Sequence, residues 1–228
     1  LRKGDFTVYK RSDLQAVSDN ELNKPYDLLK KVSNWRRFYA VINAASVFME
    51  KAPRTVELDR SYSEQNLKYD IAQVRALRAF AYFYMVRIWG DVPLVTYSYD
   101  NGTFPSMPRT DAQTVLSYAK AELLTAIKDL PYQYGTQTNL YYGSYGAQWQ
   151  GKLFNKLSAY SVLAHICAWQ GNYAEAETYS AFIIDHASEI NAKYTSIADL
   201  TSETGLFYSN ASVKGSRILG FNFAHNDN

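Results

Sequence analysis

The feature that most constrains this chain is a long helical pattern that ends abruptly. From Glu64 to Trp89, apolar residues recur three or four positions apart, as on one face of an amphipathic helix. Gly90 follows at the position of a C-terminal cap, and Pro93 prevents the helix from continuing. The pattern therefore predicts a helix that ends at Trp89 and releases the chain into a short apolar tail and then a tyrosine-rich loop.

Apolar periodicity predicts two further helices on either side of this one. A pattern covers residues 35–50, with Pro53 just beyond its end. On the other side, Thr110 and Gln113 form a capping-box pattern, and the helix that follows stops before Pro131. Both ends of this last helix are therefore indicated by local residue types.

A helical hairpin is predicted in the second half of the chain. One apolar pattern begins at Leu153, breaks at Gly171, and is followed at once by a second pattern from Tyr173 to Ala187. Helices joined by so short a turn pack antiparallel. The turn sequence WQGNYAEAETY resembles a tetratricopeptide repeat, and helices 64–89 and 110–130 form a second, looser pair. The predicted fold is mainly α, built from tetratricopeptide-like helical hairpins.

The predicted organisation is a helical repeat-like domain over 1–190 and an irregular segment over 191–228. The segment is rich in Ser, Thr and Gly, and Arg217 to Phe223 is its one predicted strand. Two long loops, 95–109 and 132–150, interrupt the helices. Loops of this length are usually functional or disordered, and their aromatic content argues against disorder.

These loops hold the candidate binding residues. The chain has 20 tyrosines, more than a core requires, since each hydroxyl needs water or a partner. Exposed rings can stack on the apolar face of a sugar while Asp, Asn and Gln bind its hydroxyls. The ligand-binding candidates are Tyr97, Tyr99, Asn101, Tyr142, Tyr145 and Trp149. The alternative, which composition leaves open, is that these rings anchor the loops or face a partner protein.

Several classes of function lack support in the sequence. The formal net charge of +2 and the absence of a long basic run argue against nucleic acid as a partner. No stretch approaches the roughly 18 uninterrupted apolar residues of a membrane-spanning helix. The single cysteine, Cys167, excludes a disulfide within the chain and a multi-cysteine metal site.

Catalytic and cofactor motifs are also missing. His165, His186 and His225 lack metal-ligand spacing, so no metal and no cofactor is predicted. The chain has no nucleophile elbow, phosphate-binding loop or dinucleotide fingerprint, and Cys167 lies on an apolar helix face. Two converging carboxylates would still permit a glycosidase, for which no acid stands in an apolar setting. We therefore predict a protein without enzymatic activity.

The segment QVRALRAFAYFYMVRIWGDVPLV, residues 73–95, resembles the signature of the SusD/RagB family. Its arginines, aromatic residues and Gly-Asp-x-Pro-Leu-Val ending stand in the family's order. The resemblance extends to WRRFYAVINAAS before it, and to AELLTAIKDLP, the helical hairpin and SRILGFNF after it. Ser46 departs from the pattern, because the family usually has Asn there. Members are also about twice as long, so the resemblance covers only their helical part.

The resemblance implies a lipid-anchored protein at the surface of the outer membrane of Bacteroidetes-type bacteria. Its cysteine anchor would lie upstream of this chain, and a C-terminal half would follow it. Such a protein binds a nutrient, usually an oligosaccharide or polysaccharide with peptide as the other choice, for a SusC-like TonB-dependent transporter. In the family the motif residues are structural, so Arg75, Arg78, Asp91 and Trp89 are expected to pack rather than to bind ligand. The alternative function is a soluble tetratricopeptide-like adaptor that binds peptides or proteins.

Overall fold

A computed structural model describes residues 7–100, 104–134, 151–192 and 218–219 of the chain. Helices make up most of these residues, which confirms the mainly helical prediction. In chain order they are α1 (Ser12–Ser18), α2 (Asp27–Val32), α3 (Arg36–Lys51), α4 (Pro53–Leu58), α5 (Glu64–Trp89), α6 (Ala112–Asp129), α7 (Lys156–Trp169) and α8 (Tyr173–Asp185), and a 3₁₀ turn over Ala187–Ile190 follows.

The chain forms two compact units, Leu1–Val41 and Ile42–Asn228. In the first unit α1 packs against α2, and each buries one apolar residue, Ala16 and Leu29. The second unit contains the long helices and the candidate site. The predicted division of the chain at residue 190 stays a prediction, because most residues after it lie outside the described ranges.

Helix α5 begins and ends where the sequence predicts. The Ser63 hydroxyl accepts a hydrogen bond from the backbone N–H of Asn66 and caps the helix start. At the other end Gly90 has a φ of 72° and a ψ of −120°, a conformation that L side chains rarely adopt. A Cβ at Gly90 would meet no atom within 4 Å, so glycine is required by backbone conformation rather than by space.

The core of the second unit lies along α5 and α6, which pack against each other. Small residues recur on α5 at helical spacing, and two buried leucines with an alanine between them recur on α6. The buried series are Ala72, Ala76 and Ala79 on α5, and Leu116, Ala119 and Leu123 on α6. Small residues on one helix let the other approach closely, and this packing confirms the predicted pair of helices 64–89 and 110–130.

The start of α6 differs from the sequence prediction. Asp111, not Thr110, is the N-cap, and its carboxylate accepts a hydrogen bond from the backbone N–H of Thr114. Thr110 is instead paired with Val92 in an isolated antiparallel bridge. The physical reason is that the Thr110 backbone is used by the bridge, while an Asp carboxylate is well placed next to the positive end of the helix dipole.

The α7–α8 hairpin confirms the predicted turn. Gly171 has a φ of 80°, and the Asn172 side chain caps α8 by accepting from the backbone N–H of Glu175. Helix α7 starts at Lys156, three residues later than Leu153, because Asn155 and Ser158 form a reciprocal capping box. Leu153 precedes the helix and packs against a buried pair of tyrosines, Tyr69 and Tyr134.

Three short helices, α1, α2 and α4, were not predicted. Pro53 follows the end of α3, as predicted, and it also begins α4, since it occupies the first turn, where no N–H is needed. Of the predicted strand 217–223, only Ile218 and Leu219 are described, and they form a bend. Among the described helices none combines the length and the apolar content needed to cross a membrane.

Candidate functional site

A buried ion-pair network occupies the base of the candidate site. Arg78 on α5 contacts Glu122 on α6, with 2.5 Å between Nη2 and Oε2, and Arg75 contacts the other carboxylate oxygen at 2.8 Å. Arg78 also donates to the Ser46 hydroxyl on α3 at 2.8 Å. The network therefore ties three helices together. These two arginines and Ser46 make structural contacts, as expected for the motif arginines.

Two backbone hydrogen bonds close the first long loop at its base. The N–H of Val92 donates to the carbonyl of Thr110 at 3.2 Å, and the N–H of Thr110 donates back at 3.0 Å. Beside this bridge, the Asp91 carboxylate accepts a hydrogen bond from the N–H of Ala112 at 2.9 Å. Asp91 thus satisfies an otherwise unpaired donor in the first turn of α6, which is a structural task.

A buried contact between Tyr82 on α5 and Val95 holds the start of the loop, and we call this contact the tether. The hydroxyl of Tyr82 donates to the carbonyl of Val95 at 2.7 Å and accepts from its N–H at 2.8 Å. Both residues are almost fully buried. One side chain therefore satisfies both backbone groups of Val95, and the apolar tail docks while the chain beyond it turns outward.

Beyond Val95, side chains of α3 hold the loop at three successive residues. Asn43 makes paired hydrogen bonds with the backbone of Tyr99, accepting from its N–H at 2.7 Å and donating to its carbonyl at 2.9 Å. Glu50 accepts from the N–H and the hydroxyl of Ser98 at 2.9 and 2.5 Å. Lys51 contacts Asp100 at 2.5 Å. The backbone conformation of this segment is thus fixed from one side.

Three aromatic side chains and a methionine cluster on this fixed segment. The Tyr97 and Tyr99 rings lie 5.0 Å apart, and the Tyr99 and Phe104 rings 4.7 Å apart. The Tyr99 hydroxyl lies 2.7 Å from the Tyr97 hydroxyl and 3.7 Å from Met107 Sδ. Tyr97 is 51% exposed and Phe104 is 53% exposed. We call Tyr97, Tyr99 and Phe104 the aromatic platform.

The titration properties of the loop follow from the same contacts. The hydrogen bond to Tyr97 raises the pKa of Tyr99 to about 12, because it stabilises the neutral phenol. Hydrogen bonds from Ser98 lower the pKa of Glu50, and the contact with Lys51 lowers that of Asp100. At neutral pH the Tyr99 hydroxyl is therefore neutral, whereas the Glu50 and Asp100 carboxylates are charged.

The structure describes two of the six predicted binding residues. It brings Tyr97 and Tyr99 together, whereas Asn101 and the second-loop candidates Tyr142, Tyr145 and Trp149 lie outside the described residues. Phe104 and the three α3 side chains were not predicted. Phe104 lies within the predicted loop and could have been found from its aromatic side chain. No local sequence pattern indicates the contacts of Asn43, Glu50 and Lys51, because each lies about 50 positions from the residue it contacts.

The second long loop also has a polar base. The Gln73 side chain accepts from the N–H of Phe154 at 2.8 Å and donates towards the Phe154 carbonyl and the Tyr134 hydroxyl. The Tyr134 hydroxyl in turn lies 2.9 Å from the Phe154 carbonyl. Gln73 on α5 thus holds the described residues at the two ends of this loop in contact with each other.

Cys167 and His186 lie in structural surroundings within the described part of the chain. Cys167 is buried, and burial raises the pKa of its thiol, so it is poorly suited as a nucleophile. His186 stacks on Phe182 at 4.0 Å and contacts a backbone carbonyl. In the described part of the chain no group of three His, Cys, Asp or Glu side chains could hold a metal ion.

Comparisons with known proteins place the chain beside SusD-like proteins, although no protein-family model matches it. It is 30% identical over 169 residues to SusD-like protein P38 of Formosa agariphila, which covers 73% of this chain and 28% of that protein. A SusD superfamily structure from Bacteroides vulgatus matches with a TM-score of 0.65 and 18% identity, over 90% of this chain and 39% of its own.

A laminarin-binding SusD-like protein matches in structure with a TM-score of 0.60 and 24% identity, over 81% of this chain and 34% of its own. At these identities the structural similarity shows the fold alone. The matches to curated relatives span between 18% and 40% of those proteins' lengths. The helical part of the SusD-like fold is therefore present in this chain.

Proposed function

We propose that this chain is the helical part of a surface protein that binds a glycan and delivers it to a TonB-dependent outer-membrane transporter. The proposal is supported by its similarity to SusD-like proteins in both sequence and fold. The glycan is an oligosaccharide or polysaccharide, and no bond in it is broken. The protein would be lipid-anchored through a cysteine upstream of this chain. Transporter and anchor are proposed from the resemblance to SusD-like proteins.

The observation that carries glycan binding is the aromatic platform. Its rings are held close together by contacts to each other, and α3 fixes the backbone beneath Tyr99. Exposed rings on a fixed backbone can stack on sugar rings without losing further conformational entropy on binding. Asp100 and Ser98 lie beside them and can bind hydroxyl groups. The laminarin-binding relative in structure supports a glycan as the ligand.

Affinity electrophoresis and a glycan array test this proposal. The Tyr97→Ala variant should lose about tenfold in affinity for the bound glycan, since stacking contacts of this kind contribute about 0.5–1.5 kcal/mol beyond area burial. The matched control is Tyr173→Ala, which removes a tyrosine that is 72% exposed on α8. Equal retention of both variants and the unaltered chain would contradict the platform as the site.

The alternative function, a peptide- or protein-binding adaptor, draws on another surface. Trp169 and Tyr173 flank the α7–α8 turn and are 53% and 72% exposed, and Arg87 lies 5.6 Å from the Trp169 ring. Trp, Tyr and Arg are the residues that most often dominate protein interfaces. If Trp169→Ala abolished binding of a partner protein while no glycan bound the chain, the adaptor function would replace the proposal.

A further inference from the structure

A separate polar groove lies where the second long loop leaves α6. It has a volume of about 650 Å³ and is lined by the start of α5, the end of α6, the segment 130–133, the start of α7 and the 3₁₀ turn. The platform residues do not line it. We call it the lysine groove, because Lys68, Lys128 and Lys156 come to it from three different helices.

The three lysines lack carboxylate partners within the described residues. Among the ion pairs found there, none involves Lys68, Lys128 or Lys156. Lys156 is also the first residue of α7, where the helix dipole disfavours a positive charge. Its ammonium group lies 5.2 Å from the centre of the Tyr132 ring. Positive charge is thus brought together here without an ion pair among the described residues.

The walls of the lysine groove are fixed by aromatic and polar contacts. The Tyr132 ring stacks parallel to His186 at a centroid distance of 5.9 Å. The side chain of Gln133 donates to the carbonyl of Glu189 in the 3₁₀ turn. The N–H of Lys156 donates to the carbonyl of Pro131 at 2.9 Å, which joins α7 to the segment after α6. The groove is therefore formed before any ligand arrives.

The composition of the lining indicates the class of ligand. Three lysines outnumber two carboxylates, Asp129 and Glu189, and amide side chains complete the polar lining. A sugar acid carries one negative group for the lysines, and its hydroxyls can donate to Asp129 and Glu189.

We infer that the lysine groove binds an acidic sugar residue, so that the glycan taken by this chain is anionic. This inference rests on the proposed function and specifies its substrate class. Lys68 and Lys128 bind the carboxylate of the sugar, and Asp129 and Glu189 accept from its hydroxyls. The groove and the platform are then two subsites with different chemistry.

Calorimetric titration with trigalacturonate tests the inference. The unaltered chain should bind it, the double variant Lys68→Gln/Lys128→Gln should bind about tenfold more weakly, and raising the salt concentration should weaken binding. The matched control is Lys30→Gln/Lys31→Gln on α2, which removes the same charge and should change affinity less than about twofold. Thermal unfolding verifies that both variants are folded.

The same titration is repeated with three control ligands, which are the methyl ester of trigalacturonate, inorganic sulfate and hexaglutamate. Weak binding of all three supports an acidic sugar as the ligand. Equal binding of the ester would overturn the role of the carboxylate, equal lysine-dependent binding of sulfate would reduce the groove to a simple anion site, and preferred binding of hexaglutamate would make it a peptide site. Each of these three results overturns the inference.

The proposed function is tested separately in the same experiment. If a neutral glycan binds through Tyr97 and trigalacturonate does not bind, the inference fails and the proposed function stands. If trigalacturonate binds through the lysines and Tyr97→Ala changes no glycan's affinity, the groove stands and the platform fails. If no glycan binds, both fail.

Discussion

Two sets of polar contacts hold neighbouring parts of the same chain, and they differ in how far water reaches them. The Arg78–Glu122 pair is almost entirely covered, whereas the Lys51–Asp100 pair has both side chains more than half exposed. The first joins helices, and the second holds a loop against one helix. The comparison teaches that the fold depends on the covered contacts, while the exposed ones set only the shape of the loop.

The physical basis is the cost of leaving a charge without a partner. A buried charge that loses its partner can gain nothing from water, so breaking such a pair is far more costly than the pair's net contribution. An exposed charge is hydrated again at once, and its pair contributes about 0–1 kcal/mol. The two regions should therefore respond to the same kind of substitution by very different amounts.

The largest effect is expected for Glu122→Ala. It removes the carboxylate that both Arg75 and Arg78 contact, and so leaves a buried guanidinium unpaired. We expect the free energy of unfolding to fall by about 3–5 kcal/mol, measured by urea denaturation. Glu57→Ala, at an exposed position on α4, is the control and should change it by less than about 0.5 kcal/mol. A similar small loss for both variants would remove the distinction between the two regions.

An intermediate effect is expected for Tyr82→Phe, which lies between the two regions. The substitution keeps the ring and deletes the hydroxyl that pairs with both backbone groups of Val95. Buried backbone groups left without a partner cost about 1–3 kcal/mol, so stability should fall by that amount in thermal unfolding. The exposed Tyr173→Phe serves as the control. A change no larger than the control's would mean that the tether does not stabilise the fold.

The sequence predicted most of the fold because its signals are local. The ends of α5 depend on Ser63 and Gly90, whose preferences act within one helical turn. The capping of α6 was assigned one residue too early, because Thr110 and Asp111 are both good caps and only the pairing with Val92 decides between them. That pairing joins residues 18 positions apart and leaves no local pattern.

The candidate site was predictable only in part. Composition indicated Tyr97 and Tyr99 as candidates, since a tyrosine-rich loop stands out in a sequence. The segment that carries these tyrosines is held by Asn43 and Glu50 on α3. The apolar periodicity of α3 predicts which face of the helix is buried, but not which polar side chains contact the loop. The lysine groove was not predicted either, because its three lysines come from separate helices and are unremarkable one by one.

The smallest effect is expected from acidification of the exposed contacts. The hydrogen bonds from Ser98 lower the pKa of Glu50 below its ordinary value of 4.5, so its contribution is fully present above that value. It is lost as the pH falls through the lowered pKa, and we expect the protection factor of the Ser98 N–H, which is its intrinsic exchange rate divided by the observed rate at the same pH, to fall over that range. Amide exchange by NMR measures this, and Glu50→Gln, which lacks the titrating group, should show no such step.

If the protection factor at Ser98 falls equally in Glu50→Gln, the loop is held by other contacts and the exposed contacts lose their assigned role. If global stability also falls in the same pH range, the exposed contacts support the fold as well, and the contrast with Arg78 and Glu122 weakens.

The bridge between Val92 and Thr110 has a consequence for sequence change over evolution and in the laboratory. It fixes the entry and exit of the loop within one pair of hydrogen bonds, so the helices on either side receive the same end points whatever lies between them. Lengthening a closed loop twofold costs only about 0.6 kcal/mol. We therefore expect the residues between Val95 and Thr110 to accept replacement by loops of other lengths and residue types, which could recognise other ligands, while α5 and α6 stay as they are.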